Sequence, residues 1–153
     1  MKLIMAGKPW TKELQDISRA ANLGDSAFDA KEVVDEDLQA LYTGARALLF
    51  PSREEGFGWP ILEAQACGCP VITTNRPPMT EVAGDAAIFI EPERPEEAAR
   101  IIRDQWCRLT DLREAGFRNL ERFSETRVAD AYCEVYEETI RQHHLASAPA
   151  TRS

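Results

Sequence analysis

The chain has 153 residues, a formal net charge of -8 and 44% hydrophobic residues, enough for one domain with one core. So acidic a balance excludes nucleic acid and anionic membrane surfaces as partners, because both need clustered Lys and Arg to displace counterions. The apolar runs, such as Ala86-Ala87-Ile88-Phe89-Ile90, fall far short of the roughly 20 residues of a membrane helix.

Met1-Lys2 leads straight into Leu3-Ile4-Met5-Ala6 with no small-residue cleavage site, so a cytoplasmic protein is expected. Short apolar runs then alternate with helical patterns, the mark of strands and crossover helices in a mostly parallel α/β sheet. The first strand is predicted over Leu3 to Ala6, followed by a helix from about Thr11 to Ala21 that Gly24 ends. Ala27 to Val33 predicts a weaker strand, and Asp35 an N-cap for a helix carrying Leu38, Leu41 and Tyr42. Further strands are expected at Ala47 to Phe50, Val71 to Thr73 and Ala87 to Ile90. Thr80-Glu81 opens a short helix after Pro77-Pro78, its acid serving the helix dipole.

Beyond Pro95 the pattern is wholly helical, with Ala98, Ile102, Trp106 and Leu109 on one face. Ser124 is expected to cap a last helix whose Val128, Ala131, Tyr132 and Val135 form an exposed apolar stripe. His143 and His144, near its end, fit the role of dipole partners better than that of ligands or bases. Residues 146–153 read as a disordered tail, and without a repeat or linker the rest, 1–145, is one domain. Cys67, Cys69, Cys107 and Cys133 include no C-x-x-C spacing and no nearby His, which makes them structural thiols and leaves no zinc site. No Ser-His-Asp arrangement, carboxylate metal cluster or GxxxxGK[ST] loop is present.

The chemistry is concentrated in Arg53-Glu54-Glu55-Gly56-Phe57-Gly58-Trp59-Pro60-Ile61-Leu62-Glu63. A strand ends at Pro51-Ser52, a glycine turn follows, and Pro60 opens a helix whose first turn tolerates its missing N–H. Gly56 and Gly58 let the backbone approach a ligand, and the free amides of a helix start favour an anion such as phosphate. Glu55 and Glu63, with seven residues between them, then flank that anion and are placed to accept hydrogen bonds from hydroxyls. Glu54 competes with Glu55, but only Glu55 has the right spacing to Glu63. Phe57 and Trp59 pack the turn, and Arg53 fits a solvated surface arginine better than a cation in the pocket.

From Glu55 to Glu63, and on through Ala64-Gln65-Ala66-Cys67-Gly68-Cys69-Pro70-Val71-Ile72 and Asn75 to Ala87, the chain resembles the donor-site signature of family 4 (group 1) retaining glycosyltransferases. The resemblance covers roughly residues 2 to 145. It implies a Rossmann-like sheet with helices on both faces, the C-terminal half of a GT-B enzyme of polysaccharide biosynthesis. Glu55 would then be the catalytic-site acid touching the donor sugar's hydroxyls, and Glu63 would hold the ribose. Amides of Gly56, Phe57 and Gly58 would grip the diphosphate, and the backbone at Val33 would meet the nucleobase, although Phe28 to Glu32 departs from the family's pattern. The substrate implied is a nucleotide diphosphate sugar, with no cofactor and no metal. The family's chemistry is front-face attack in which the leaving phosphate takes the acceptor proton, so no protein nucleophile is required.

In that family a strand and a turn with an Arg and a Lys come first, and a separate N-terminal half binds the acceptor. The chain is therefore expected to lack that first strand and turn, and to be inactive alone. The acceptor, a sugar or a lipid-linked glycan, would bind the missing N-terminal domain, and membrane association stays open for the full-length enzyme. The alternatives are a non-catalytic nucleotide-sugar binding module or fragment, and an epimerase or phosphorylase of the same architecture.

Overall fold

The computed structural model of the chain describes residues 2–147, with side chains through residue 143. The His144 side chain and residues 148–153 of the expected tail therefore lie outside the described residues.

Among the described residues five strands alternate with helices and two more α-helices follow: β1 (Leu3–Ala6), α1 (Lys12–Ala20), β2 (Ala27–Ala30), α2 (Asp35–Gly44), β3 (Leu48–Phe50), α3 (Trp59–Ala66), β4 (Val71–Thr74), α4 (Met79–Ala83), β5 (Ala87–Ile90), α5 (Pro95–Asp104), α6 (Leu109–Leu120) and α7 (Glu125–Ser147). Every strand pair is parallel, but the strands form two sheets, β1-β2 and β3-β4-β5. β4 lies between its neighbours, and all four of its residues are buried.

Period-2 alternation on these strands sorts two cores, one per sheet face. Val71 and Ala87 turn to the side of Ile61, Leu62, Met79 and Val82, which α3 and α4 supply. Ile72, Ile88 and Ile90 turn to Ala98, Leu109 and Leu112 of α5 and α6. Helices thus cover both faces of the three-stranded sheet, as the sequence implied.

Several boundaries differ from expectation. β2 stops at Ala30 rather than Val33, because Glu32 takes a positive φ of 52° that no strand accommodates. Val34, not Asp35, is the N-cap of α2, and Asp35, Glu36 and Asp37 all fall in its first turn, where they complement the dipole. The face joining Ala98 to Leu109 is not one helix: α5 ends at Asp104, and a single 3₁₀ turn, Trp106–Arg108, leads into α6. α7 extends through Ser147, and Ser124 precedes it with its carbonyl accepting from the Val128 amide.

β1, α1 and β2 stand apart energetically. The first buried residue along the described chain is Tyr42, at 8% exposure. An apolar groove of about 200 Å³, lined by Leu3, Met5, Trp10, Leu14, Ile17 and Leu23 among others, stays open beside α1. Among the described residues, the Trp10 Nε1 and Asp29 Oδ1 atoms are buried without a hydrogen-bond partner.

Candidate functional site

The turn after β3 ends at Gly58, the N-cap of α3, in the left-handed region at φ 100° and ψ 41°. A side chain there would be strained, and its absence keeps the helix start uncapped. Pro60 takes the second helical position and the Ile61 amide bonds the Gly58 carbonyl at 3.0 Å. No acid stands in the first turn of α3, whereas α2 and α5 carry three and two. The positive end of this helix is therefore uncompensated within its own first turn, the electrostatics of an anion seat.

Both flanking acids are solvent-exposed and each is held from one side by a hydroxyl. Ser52 Oγ donates to Glu55 Oε1 at 2.7 Å, a charge-assisted length, and also meets the Glu54 backbone carbonyl at 3.2 Å. Tyr42, on α2, donates its phenol to Glu63 Oε2 at 3.3 Å. Burial, and after it the Glu63 charge, pushes the Tyr42 phenol above its ordinary range, which keeps it a proton donor. The exit of β3 is fixed in turn by buried threonines of β4: Thr73 Oγ1 donates to the Phe50 carbonyl at 2.9 Å and Thr74 Oγ1 to the Ser52 carbonyl at 2.6 Å.

Phe57 is half-buried, with its ring 4.8 Å from Trp59 and edge-on to Phe123 at 6.1 Å. Its side chain packs the turn. Trp59 leans on Phe57 yet is 63% exposed, more open than a packing residue should be. Arg53 lies 3.6 Å from Glu93, an acid it shares with Arg76, so this cation is paired at the surface. Val33 is half-buried in the link from β2 to α2, which leaves the two-stranded sheet rather than the one that carries the turn.

Three polar groups at the site escaped the sequence reading. In the sequence Tyr42 is one member of an apolar helix face, Ser52 stands at a strand end, and Thr74 follows the strand predicted over Val71 to Thr73. Tyr42 and Glu63 are 21 positions apart, Thr74 and Ser52 22, and no local pattern encodes such pairs. Only the Ser52 to Glu55 spacing of three is local enough to have been found.

Residues 1–114 match the family model described as glycosyl transferases group 1. The chain is 40% identical over 97 residues to the O-antigen chain mannosyltransferase B of Escherichia coli, which covers 60% of this chain and 25% of that protein. It is 29% identical over 132 residues to the D-inositol 3-phosphate glycosyltransferase of Paenarthrobacter aurescens, covering 83% of this chain and 32% of that one. The chain thus spans about a quarter to a third of the length of these curated relatives. Its fold aligns with the pneumococcal O-GlcNAc transferase GtfA, solved with UDP and GlcNAc, at a TM-score of 0.61 and 17% identity over 92% of this chain and 30% of that one. That likeness establishes a Rossmann-like α/β fold of the GT-B class. With three quarters of its length under the family model, and the glycine turn within the matched stretch, the chain belongs to the group 1 glycosyl transferases.

Proposed function

We propose that the chain is the donor-binding part of a retaining glycosyltransferase that uses a nucleotide diphosphate sugar. One observation carries the reading: the uncapped start of α3 at Gly58 stands between two acids, each anchored by a hydroxyl. The helix start and turn amides of Gly56, Phe57 and Gly58 would seat the diphosphate and stabilise the charge it gains as the glycosidic bond breaks. Glu55 would accept from the sugar's hydroxyls and Glu63 from the ribose, with backbone near Val33 toward the base. Amides and a helix end supply this charge stabilisation, so the reading needs no metal or cofactor. The acceptor, a sugar or lipid-linked glycan, would be held by a further domain. Two relatives named above are a mannosyltransferase and an inositol phosphate glycosyltransferase, which makes mannose donors the first to test.

The domain itself is completed, in this reading, by one more strand. In the doubly wound order 3-2-1-4-5-6 the first strand lies between the second and the fourth. If β1 to β5 are the second to sixth strands, the vacant position falls between β1 and β3, whose outer edges are unpaired. The open groove beside α1 and the unpartnered Trp10 and Asp29 atoms support this placement.

Calorimetric titration with a panel of nucleotide sugars and their nucleoside diphosphates, repeated with EDTA, tests the reading. Glu63→Ala should lower affinity for ribonucleotides about tenfold while leaving the 2′,3′-dideoxy forms unchanged, and EDTA should have no effect. Equal affinity of wild type and variant for every nucleotide would sink it.

A further inference from the structure

The two acids do not stand free. Each has one oxygen engaged by a hydroxyl: Glu55 Oε1 by Ser52 Oγ of the same turn at 2.7 Å, Glu63 Oε2 by Tyr42 OH of α2 at 3.3 Å. A carboxylate that rotates freely spreads its acceptor directions, whereas one pinned through a single oxygen presents the other in a defined direction. Both anchors are themselves constrained. Tyr42 is 8% exposed and its ring is packed in the core with Ile61, Leu62 and Val71, while the Ser52 carbonyl accepts from Thr74 Oγ1, a group with 0% exposure, at 2.6 Å. Long side chains on exposed turns and helices ordinarily lose rotamer entropy when a ligand orders them; here part of that order exists beforehand.

We infer that Tyr42 and Ser52 are positioning residues that preset Glu63 and Glu55, so that each acid offers one oxygen to the hydroxyls of a bound nucleotide sugar. The inference rests on the proposed donor site. Tyr42 bonds the Glu63 carboxylate and Ser52 the Glu55 carboxylate, so the two effects are separable by ligand. The phenol-to-carboxylate distance is long for an O–H···O bond, and catalytic hydrogen bonds of unliganded sites commonly shorten on binding. The sugar end of the site has the shorter bond.

The test uses this chain with UDP, GDP and ADP, their 2′,3′-dideoxy forms, and UDP-glucose and GDP-mannose. Tyr42→Phe keeps the ring and removes the hydroxyl. It should cut the ribose-to-dideoxyribose preference roughly five- to tenfold, the ratio equivalent to one ordinary hydrogen bond, without weakening the dideoxy forms. Ser52→Ala should instead diminish the affinity gained on going from nucleoside diphosphate to nucleotide sugar. On a Glu63→Ala background, Tyr42→Phe should change nothing more, since its effect passes through that acid. If Glu63→Ala abolishes the ribose preference but Tyr42→Phe leaves it intact, the positioning role is overturned and the donor site stands. Equal losses for ribose and dideoxyribose ligands, together with a lower melting temperature, mark Tyr42 as structural only and also overturn it. Absence of any ribose preference in wild type removes the inference and the donor site together.

Discussion

Gly58 sits at φ 100°, and a Cβ there would come 3.4 Å from Ile61 Cδ1, ordinary contact distance. The penalty of Gly58→Ala is therefore backbone strain rather than collision, about 1–2 kcal/mol. Urea unfolding should show that loss, and pyrophosphate or nucleotide affinity should fall as the turn shifts; an unchanged midpoint would mean that the helix start relaxes freely. Tyr42 adds a pH signature. Its folded phenol is raised by burial and then by Glu63, while the unfolded phenol titrates near its ordinary value of about 10. The folded form binds its proton more tightly, so the contribution is complete below pH ~10 and lost as pH rises beyond it. Wild type should lose more stability between pH 8 and pH 10.5 than Tyr42→Phe does, as read from urea midpoints at the two values. Glu55, Glu63 and the glycines were legible at this scale because the motif is local. The Tyr42 anchor of Glu63 was not, since Tyr42 reaches the site through packing, as does Thr74 behind Ser52.

Between elements, a buried polar junction holds α3 and α4 against α6. Asn119 Nδ2 donates to Gln65 Oε1 and to the Val82 carbonyl, both at 2.8 Å, and its Oδ1 accepts from Arg122 at 2.7 Å. The close approach of α6 depends on Gly116, where a Cβ would meet Gln65 Cγ at 3.1 Å. Replacing Asn119, 7% exposed, by Leu leaves the Val82 carbonyl and the Gln65 side chain without this partner, a cost of about 1–3 kcal/mol for each group left unsatisfied. Denaturant unfolding of Asn119→Leu should show at least the lower figure; a neutral substitution would mean that water or Arg122 takes over. Strands β1, β3, β4 and β5 were anticipated within a residue or so because apolar runs between turn residues are strong signals. The break of α5 from α6 was missed because Ala98, Ile102, Trp106 and Leu109 keep helical spacing across it, and the 3₁₀ turn at Trp106–Arg108 hardly disturbs that spacing.

At the scale of the molecule, stability is unevenly distributed. The three-stranded sheet has cores on both faces, while no described residue before Tyr42 is buried. Local opening free energy follows buried contacts, so amides of β1, α1 and β2 should exchange with solvent orders of magnitude faster than those of β4. Hydrogen-exchange mass spectrometry checks this, and equal protection across both sheets would contradict it. Adding the strand proposed between β1 and β3 should slow exchange in β1 first. α7 is likewise uncovered: Val128, Tyr132, Val135, Tyr136 and Ile140 are all exposed, which matches the stripe expected of this helix. Among the described residues no helix is long and apolar enough to cross a membrane.

What the amino-acid order determined by itself was everything carried by short-range pattern: the α/β alternation, the glycine turn opening a proline-led helix, and the spacing of Glu55 to Glu63. Each depends on φ preference, helix-end chemistry or side-chain period, which act within a few residues. Only the tertiary structure decided that the strands divide into two sheets, that Tyr42 holds Glu63, and that Asn119 joins three helices. Those arrangements depend on which surfaces are buried together, and burial is settled between segments that lie far apart along the chain.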